Sequence, residues 1–152
     1  YDDALLPLSK LYKVEKFMSE ALGKRVWLKS GGYLVIEPTE ALCVIDVNTG
    51  KYSGKKNLHD TIMKINTEAA VEIARQLRLR NLSGIIIIDF IDMETEEDQR
   101  ELLSVLSRVL AKDPVKTSVV EITKLNLVEV TRKKIRRPFH EQAALIKGKA
   151  DT

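Results

Sequence analysis

Gly84-Ile85-Ile86-Ile87-Ile88-Asp89 is the stretch that decides the fold. Four β-branched residues in a row favour an extended chain. An apolar run of this length, without polar alternation, predicts a strand buried on both faces. Gly84 breaks what precedes it, and a carboxylate closes the run. Upstream, Cys43-Val44-Ile45-Asp46 repeats the form: an apolar run, then an aspartate. Between the two, Ile62, Ile65, Ala69, Ile73 and Leu77, with Leu79 beside them, follow helical spacing. They predict a long helix reaching about Arg80, with Asn57 or Asp60 as its N-cap. Strands separated by a long helix make an α/β (α+β) domain.

Working outward, residues 33–36 and 41–47 are β-rich runs joined by Glu37-Pro38-Thr39-Glu40. They read as a hairpin, so the sheet is mixed and flanked by long helices rather than purely parallel. Residues 5–22 have approximate helical spacing with Gly23 as the stop, and residues 25–28 form a short strand broken by Gly31-Gly32. Thr95 caps a third helix, with Asp98 in the capping-box position, running to about Ala111 before Pro114. Residues 118–122 and 127–130 read as a final strand pair, and residues 137–152 as a tail or interrupted helix.

The 152 residues suit one domain or one domain plus an appendage, and aromatics at 5% leave the core to aliphatic side chains. No apolar run approaches the roughly 20 residues of a membrane span. The acidic, polar start reads as no secretory leader. A single cysteine, Cys43, excludes an internal disulfide framework and a multi-cysteine zinc site. It reads as a buried strand residue in a reducing compartment, which makes the cytoplasm the expected location. Net charge is only +3. The cations are clustered, however. Arg75, Arg78 and Arg80 form one group, and Arg132, Lys133, Lys134, Arg136 and Arg137 another. Either could neutralise phosphates, or be a solvated helix face and a basic tail.

Carboxyl ends of strands are where ligands bind in α/β sheets. If the two apolar strands are neighbours, Asp46 and Asp89 arrive at one spot and repel each other. A divalent cation removes that cost, and magnesium commonly takes one or two carboxylates plus water and phosphate. The alternative is that each aspartate caps the turn after its strand. Asp92, three residues beyond Asp89, supports the site or caps a helix. The Asn48 amide orients a water or phosphate oxygen, or holds the turn by an Asx bond. His59 reads as a surface residue rather than a general base. The loop from Gly50 to Lys56 has the composition of a phosphate contact without the Walker spacing, and Tyr52 in it could stack on a base.

These residues also carry a resemblance. The runs Val44 to Gly50, Asn66-Thr67-Glu68-Ala69-Ala70, Ile73 to Leu82, Gly84 to Met93, Lys116-Thr117-Ser118 and Leu127 to Lys133 resemble the catalytic region of the ribonuclease E/G family. The Asp-Val-Asn-Thr-Gly form and the Val-Lys-Thr-Ser segment are nearer the G branch. The resemblance implies a DNase I-like subdomain at residues 33–136, preceded at residues 1–32 by the trailing part of an RNase H-like subdomain or a linker. It implies an endoribonuclease acting in RNA processing and decay on single-stranded, A/U-rich RNA, leaving a 5′-phosphate and a 3′-hydroxyl. Asp46 and Asp89 would hold magnesium, with manganese as a substitute, and Asn48 would assist at the scissile phosphate. Lys55, Lys56, Arg75 and Arg78 are the candidates for contact with the RNA backbone.

Two family features have no counterpart here. One is an OB-type RNA-binding domain. The other is a Cys-x-x-Cys zinc link between protomers, where this chain reads Arg136-Arg137-Pro138-Phe139-His140-Glu141. Zinc is therefore not expected, and any homo-oligomer would form without that link. The expectation is an excised or shortened core: an active nuclease, or a catalytically incomplete RNA-binding or assembly module.

Overall fold

β3 (Leu42–Asn48) and β4 (Gly84–Asp89) are parallel neighbours, aligned from Leu42 opposite Ile85 to Asp46 opposite Asp89. Parallel neighbours need a crossover, and α3 (Leu58–Leu79) is part of it. The structure, a computed structural model, describes residues 6–50 and 58–150. Among these, one six-stranded sheet runs in the order β1 (Arg25–Trp27), β2 (Tyr33–Pro38), β3, β4, β6 (Val128–Arg132) and β5 (Thr117–Ile122). Every pairing except β3–β4 is antiparallel, so the mixed sheet and the expected hairpin are both present.

The core forms on one side of this sheet. Ile65, Ala69, Ile73 and Leu77 of α3 recur every fourth residue and are buried. Ala70 and Ala74 beside them are buried too, and small side chains let the helix lie close to the strands. Leu102, Leu106 and Leu110 of α4 (Glu96–Leu110) complete the helical layer. Against them stand alternate strand residues, among them Leu34, Ile36, Ile45, Ile86, Ile88 and Val130. Each such aliphatic side chain contributes roughly 1.5–3 kcal/mol when fully buried.

β4 departs from its expected burial. Ile86 and Ile88 are fully buried, but Ile85 is 50% exposed and Ile87 half-buried. The cause is that α3 and α4, the helices that supply the core cluster, pack together on the same side. The other face of the sheet stays open among the described residues. Leu79 also falls outside the α3 stripe and is exposed.

The N-terminal helix is two pieces, α1 (Leu8–Leu11) and α2 (Val14–Leu22), separated where Lys13 adopts φ 52°. Neither glycine nor proline marks that break. β1 pairs with β2, so the sheet begins before the boundary expected at residue 32. The cap of α4 is as expected: Thr95 Oγ1 accepts from the Asp98 amide and donates to Asp98 Oδ2. Asp60 lies in the first turn of α3 rather than at its cap, and Asn57 is outside the described residues. The tail is helical: α5 (Phe139–Ala150) anchors through the Phe139 N–H, which donates to the Arg80 carbonyl at 2.8 Å. Cys43 is a buried thiol, pushed up to about 11 by burial, with Arg80 opposing.

Candidate functional site

Strand alternation puts Asp46 and Asn48 on the face opposite Ile45 and Val47, which is the open face. Asp89 is the direct partner of Asp46 across β3–β4 and shares that face. Neighbouring strands lie about 4.8 Å apart, so the two carboxylates leave the sheet side by side. Asn48 Nδ2 donates to Asp46 Oδ2 at 2.8 Å. This bond orients the aspartate, and among the described residues the Asn48 side-chain oxygen accepts no hydrogen bond. At the end of the segment Gly50 adopts φ +63°, and a Cβ there would lie 2.2 Å from the Gly31 carbonyl oxygen. Only glycine lets the chain leave β3 this close to the β1–β2 loop.

Among the described residues, no cation compensates the charge at this edge. Burial first, then Asp46, then Asp92 raise the Asp89 carboxyl above the ordinary carboxylate range. Among the described residues no Lys, Arg or His forms an ion pair with Asp46, Asp89 or Asp92. Adjacent anionic oxygens without a cation match the donor set of a hard divalent ion. Also among the described residues, no group of three or more His, Cys, Asp or Glu is placed to enclose a metal. The donors therefore amount to a carboxylate pair open to water and phosphate rather than a closed cage. Asp92 is exposed and acts on Asp89 through its charge.

α3 holds both halves of the site from beneath. Asn66 is fully buried, its Nδ2 donating to the Ile91 carbonyl at 2.8 Å and its Oδ1 accepting from the Ile91 N–H at 3.1 Å. That double bond pins the chain two residues beyond Asp89. Two residues further along α3, Glu68 accepts from the backbone N–H groups of Lys29 and Ser30, fixing the β1–β2 loop. Asn66→Ala leaves two backbone groups of Ile91 without partners. It is expected to cost about 2–3 kcal/mol, the low end for two groups at roughly 1–3 each, because Ile91 is only half-buried. A denaturant midpoint within error of the parent would remove the clamp from the account. The sequence signal for this role is an asparagine inside the buried stripe between Ile65 and Ala69.

The other expected site residues scatter. Arg75 and Arg78 are exposed on α3, on the helical side of the sheet, and Arg75 pairs with Glu72 at 2.7 Å. The structure does not bring them to the carboxylates. Arg80 is buried, with Nε donating to Gln76 Oε1 at 2.7 Å. Arg132, first of the basic block, is also buried and paired to Asp113. Lys55, Lys56 and Tyr52 lie outside the described residues. His59 links α3 to the α4 cap, with Nε2 2.9 Å from Asp98 Oδ2. Its side chain is 47% exposed, in keeping with a surface position.

A family model described as the ribonuclease E/G family matches residues 1–135. The chain is 55% identical over 130 residues to a ribonuclease G of Salmonella typhimurium, covering 86% of this chain and 27% of that protein. It is 54% identical to a ribonuclease G of Haemophilus influenzae over 86% of this chain and 26% of that protein. Identity to a ribonuclease E of a Synechocystis species is 48% over 136 residues, 90% of this chain and 20% of that protein. The chain thus spans about a quarter of the length of the ribonuclease G relatives, 27% in the first case.

Proposed function

The chain belongs to the ribonuclease E/G family, and from that premise we propose that it carries the hydrolytic centre of a magnesium-dependent endoribonuclease. The observation that carries the proposal is the pairing of Asp46 with Asp89 across two parallel strands on an open sheet face. Such a face has room for an extended, single-stranded RNA, whose phosphate would bring the negative oxygens that complete a divalent ion's shell. When bound, magnesium supplies Lewis acidity at a phosphoryl oxygen and a water acidic enough to act as nucleophile near neutral pH. Asp46 and Asp89 would hold the ion. Asn48 keeps Asp46 oriented through its amide N–H, and its side-chain oxygen would accept a hydrogen bond from the attacking water. Attack at phosphorus with departure of the 3′ oxygen leaves a 5′-phosphate and a 3′-hydroxyl. The substrate we propose is A/U-rich single-stranded RNA, in processing of ribosomal RNA and decay of messages. The proposed setting is the cytoplasm; no helix among the described residues is long and apolar enough to cross a membrane.

A second reading has one fact in its favour. The chain corresponds to 27% of the length of a similar ribonuclease G. A core of that extent can bind or assemble without cutting, because positioning of substrate supplies much of catalysis. One experiment decides. The chain is incubated with a 5′-monophosphorylated A/U-rich RNA, with magnesium or chelator, beside Asp46→Asn. Cleavage that needs magnesium and Asp46 is the expected result. Cleavage in chelator or in the variant would defeat the metal assignment. Magnesium binding by calorimetry without cleavage would favour the incomplete core.

A further inference from the structure

We propose that Trp27 and Tyr33, with Arg25 against them, form a base-stacking platform that receives the single-stranded RNA beside the carboxylate pair. The proposal rests on the reading that RNA is the substrate. It adds a binding site on residues outside the carboxylate pair and its asparagine.

Register supplies the first argument. Trp27 pairs with Tyr33, and Tyr33 pairs with Asn48. Directly paired residues share a face, so both rings stand on the open face that carries Asp46, Asn48 and Asp89. Tyr33 is one strand from β3 and Trp27 two, a span of about 10 Å by strand spacing. A single strand whose phosphate sits at the carboxylates crosses that span within a few nucleotides.

The chemistry of the patch supplies the second. The ring centroids of Trp27 and Tyr33 are 5.2 Å apart and tilted at 58°. The Arg25 guanidinium carbon lies 4.5 Å from the Tyr33 centroid and 5.8 Å from that of Trp27. Arg25 is opposite Val35, itself opposite Asp46, so it belongs to the same face. A cross-strand aromatic pair helps hold a hairpin, which accounts for the ring contact. It does not account for Trp27 being 60% exposed on an edge strand, where apolar surface invites unwanted pairing. An exposed ring beside a half-buried one, with a cation against them, is a combination that holds bases irrespective of sequence. The Glu68 bonds to Lys29 and Ser30 fix the loop between these strands on α3, so the platform is held at a set place relative to the carboxylates.

Trp27 is the only tryptophan in the chain, so its emission reports on this platform alone. The chain in chelator is titrated with a 5′-monophosphorylated A/U-rich RNA. A fluorescent end label, read by anisotropy, reports binding separately. Saturable quenching of Trp27 that tracks the anisotropy is expected. A strand of the same length with abasic sugars in place of its bases should bind weakly and leave the emission unchanged. In cleavage with magnesium, Trp27→Ala is expected to raise KM roughly tenfold, in the range of one base stack, with kcat little changed and Trp27→Phe restoring most of the loss. RNA binding with unchanged Trp27 emission would overturn the platform. So would an unaltered KM in Trp27→Ala, or an effect of that variant on self-association in place of RNA binding. Quenching without cleavage by the parent would support the platform while defeating the hydrolytic reading, so the two proposals fail separately.

Discussion

Asp89→Asn is expected to lower kcat/KM by roughly a thousandfold or more while leaving the melting temperature unchanged or higher. The loss follows from the several kcal/mol that a bound divalent ion contributes to a phosphoryl transition state, at about 1.4 kcal/mol per tenfold. The stability result follows from the sign of the carboxyl's shift. Burial, Asp46 and Asp92 raise Asp89 above its ordinary range in the folded protein. A group shifted up in this way contributes its full stability below the unfolded value of about 3.9 and loses it as pH rises through the folded value. Above the folded value the ionised Asp89 therefore burdens the fold, and an amide of the same shape removes that burden. Initial rates with magnesium and melting curves at pH 7 and pH 3 test both halves. The melting difference should shrink at pH 3, where Asp89 is protonated in either state. A variant that cuts RNA at close to the parent rate would end the assignment. A lower melting point at pH 7 would mean that Asp89 makes a stabilising contact instead.

That combination also explains which parts of the molecule its sequence discloses. Strand ends are local features, so two apolar runs closing on aspartates were legible as a candidate site. Their side-by-side placement depended on β3 and β4 becoming neighbours, which apolar runs do not encode and the family resemblance implied. The Ile85–Ile88 run misled in one respect, because β-branched content reports extended chain and not how many layers cover it. Arg75 and Arg78 of α3 and Arg80 just past its end read alike in sequence, yet the first two are exposed while Arg80 is buried, since a helical turn rotates by about 100° per residue. Trp27 read only as part of a short strand. Its proximity to Asn48 passes through Tyr33 and two successive registers, information that resides in pairing and not in spacing.

Arg132 shows the same gap between charge and role, and it supports the second large effect: Arg132→Ala is expected to destabilise the fold by about 3–5 kcal/mol, the usual cost of breaking a buried pair. Its Nε donates to Asp113 Oδ2 at 2.8 Å, with the two side chains only 3% and 1% exposed. Its Nη1 donates to Asn81 Oδ1 and to the Leu82 carbonyl, tying β6 to the chain entering β4. Lysine cannot reproduce that fork, so Arg132→Lys should recover little. For Asp113, burial alone would raise the carboxyl, but the Arg132 bond, the Val115 amide, the Arg132 charge and the Thr117 hydroxyl together bring it below its ordinary range. Stability from such a lowered group is present above the unfolded value of about 3.9 and lost as pH falls through the folded value. In Arg132→Ala the unpaired Asp113 titrates higher, so the deficit should be greatest near neutral pH and shrink in acid. Denaturant unfolding at pH 7 and pH 4 measures this. A pH-independent deficit would mean that lost packing dominates over the stranded charge. A stable variant with weakened RNA binding would instead return Arg132 to the phosphate-contacting block in which its sequence neighbours place it.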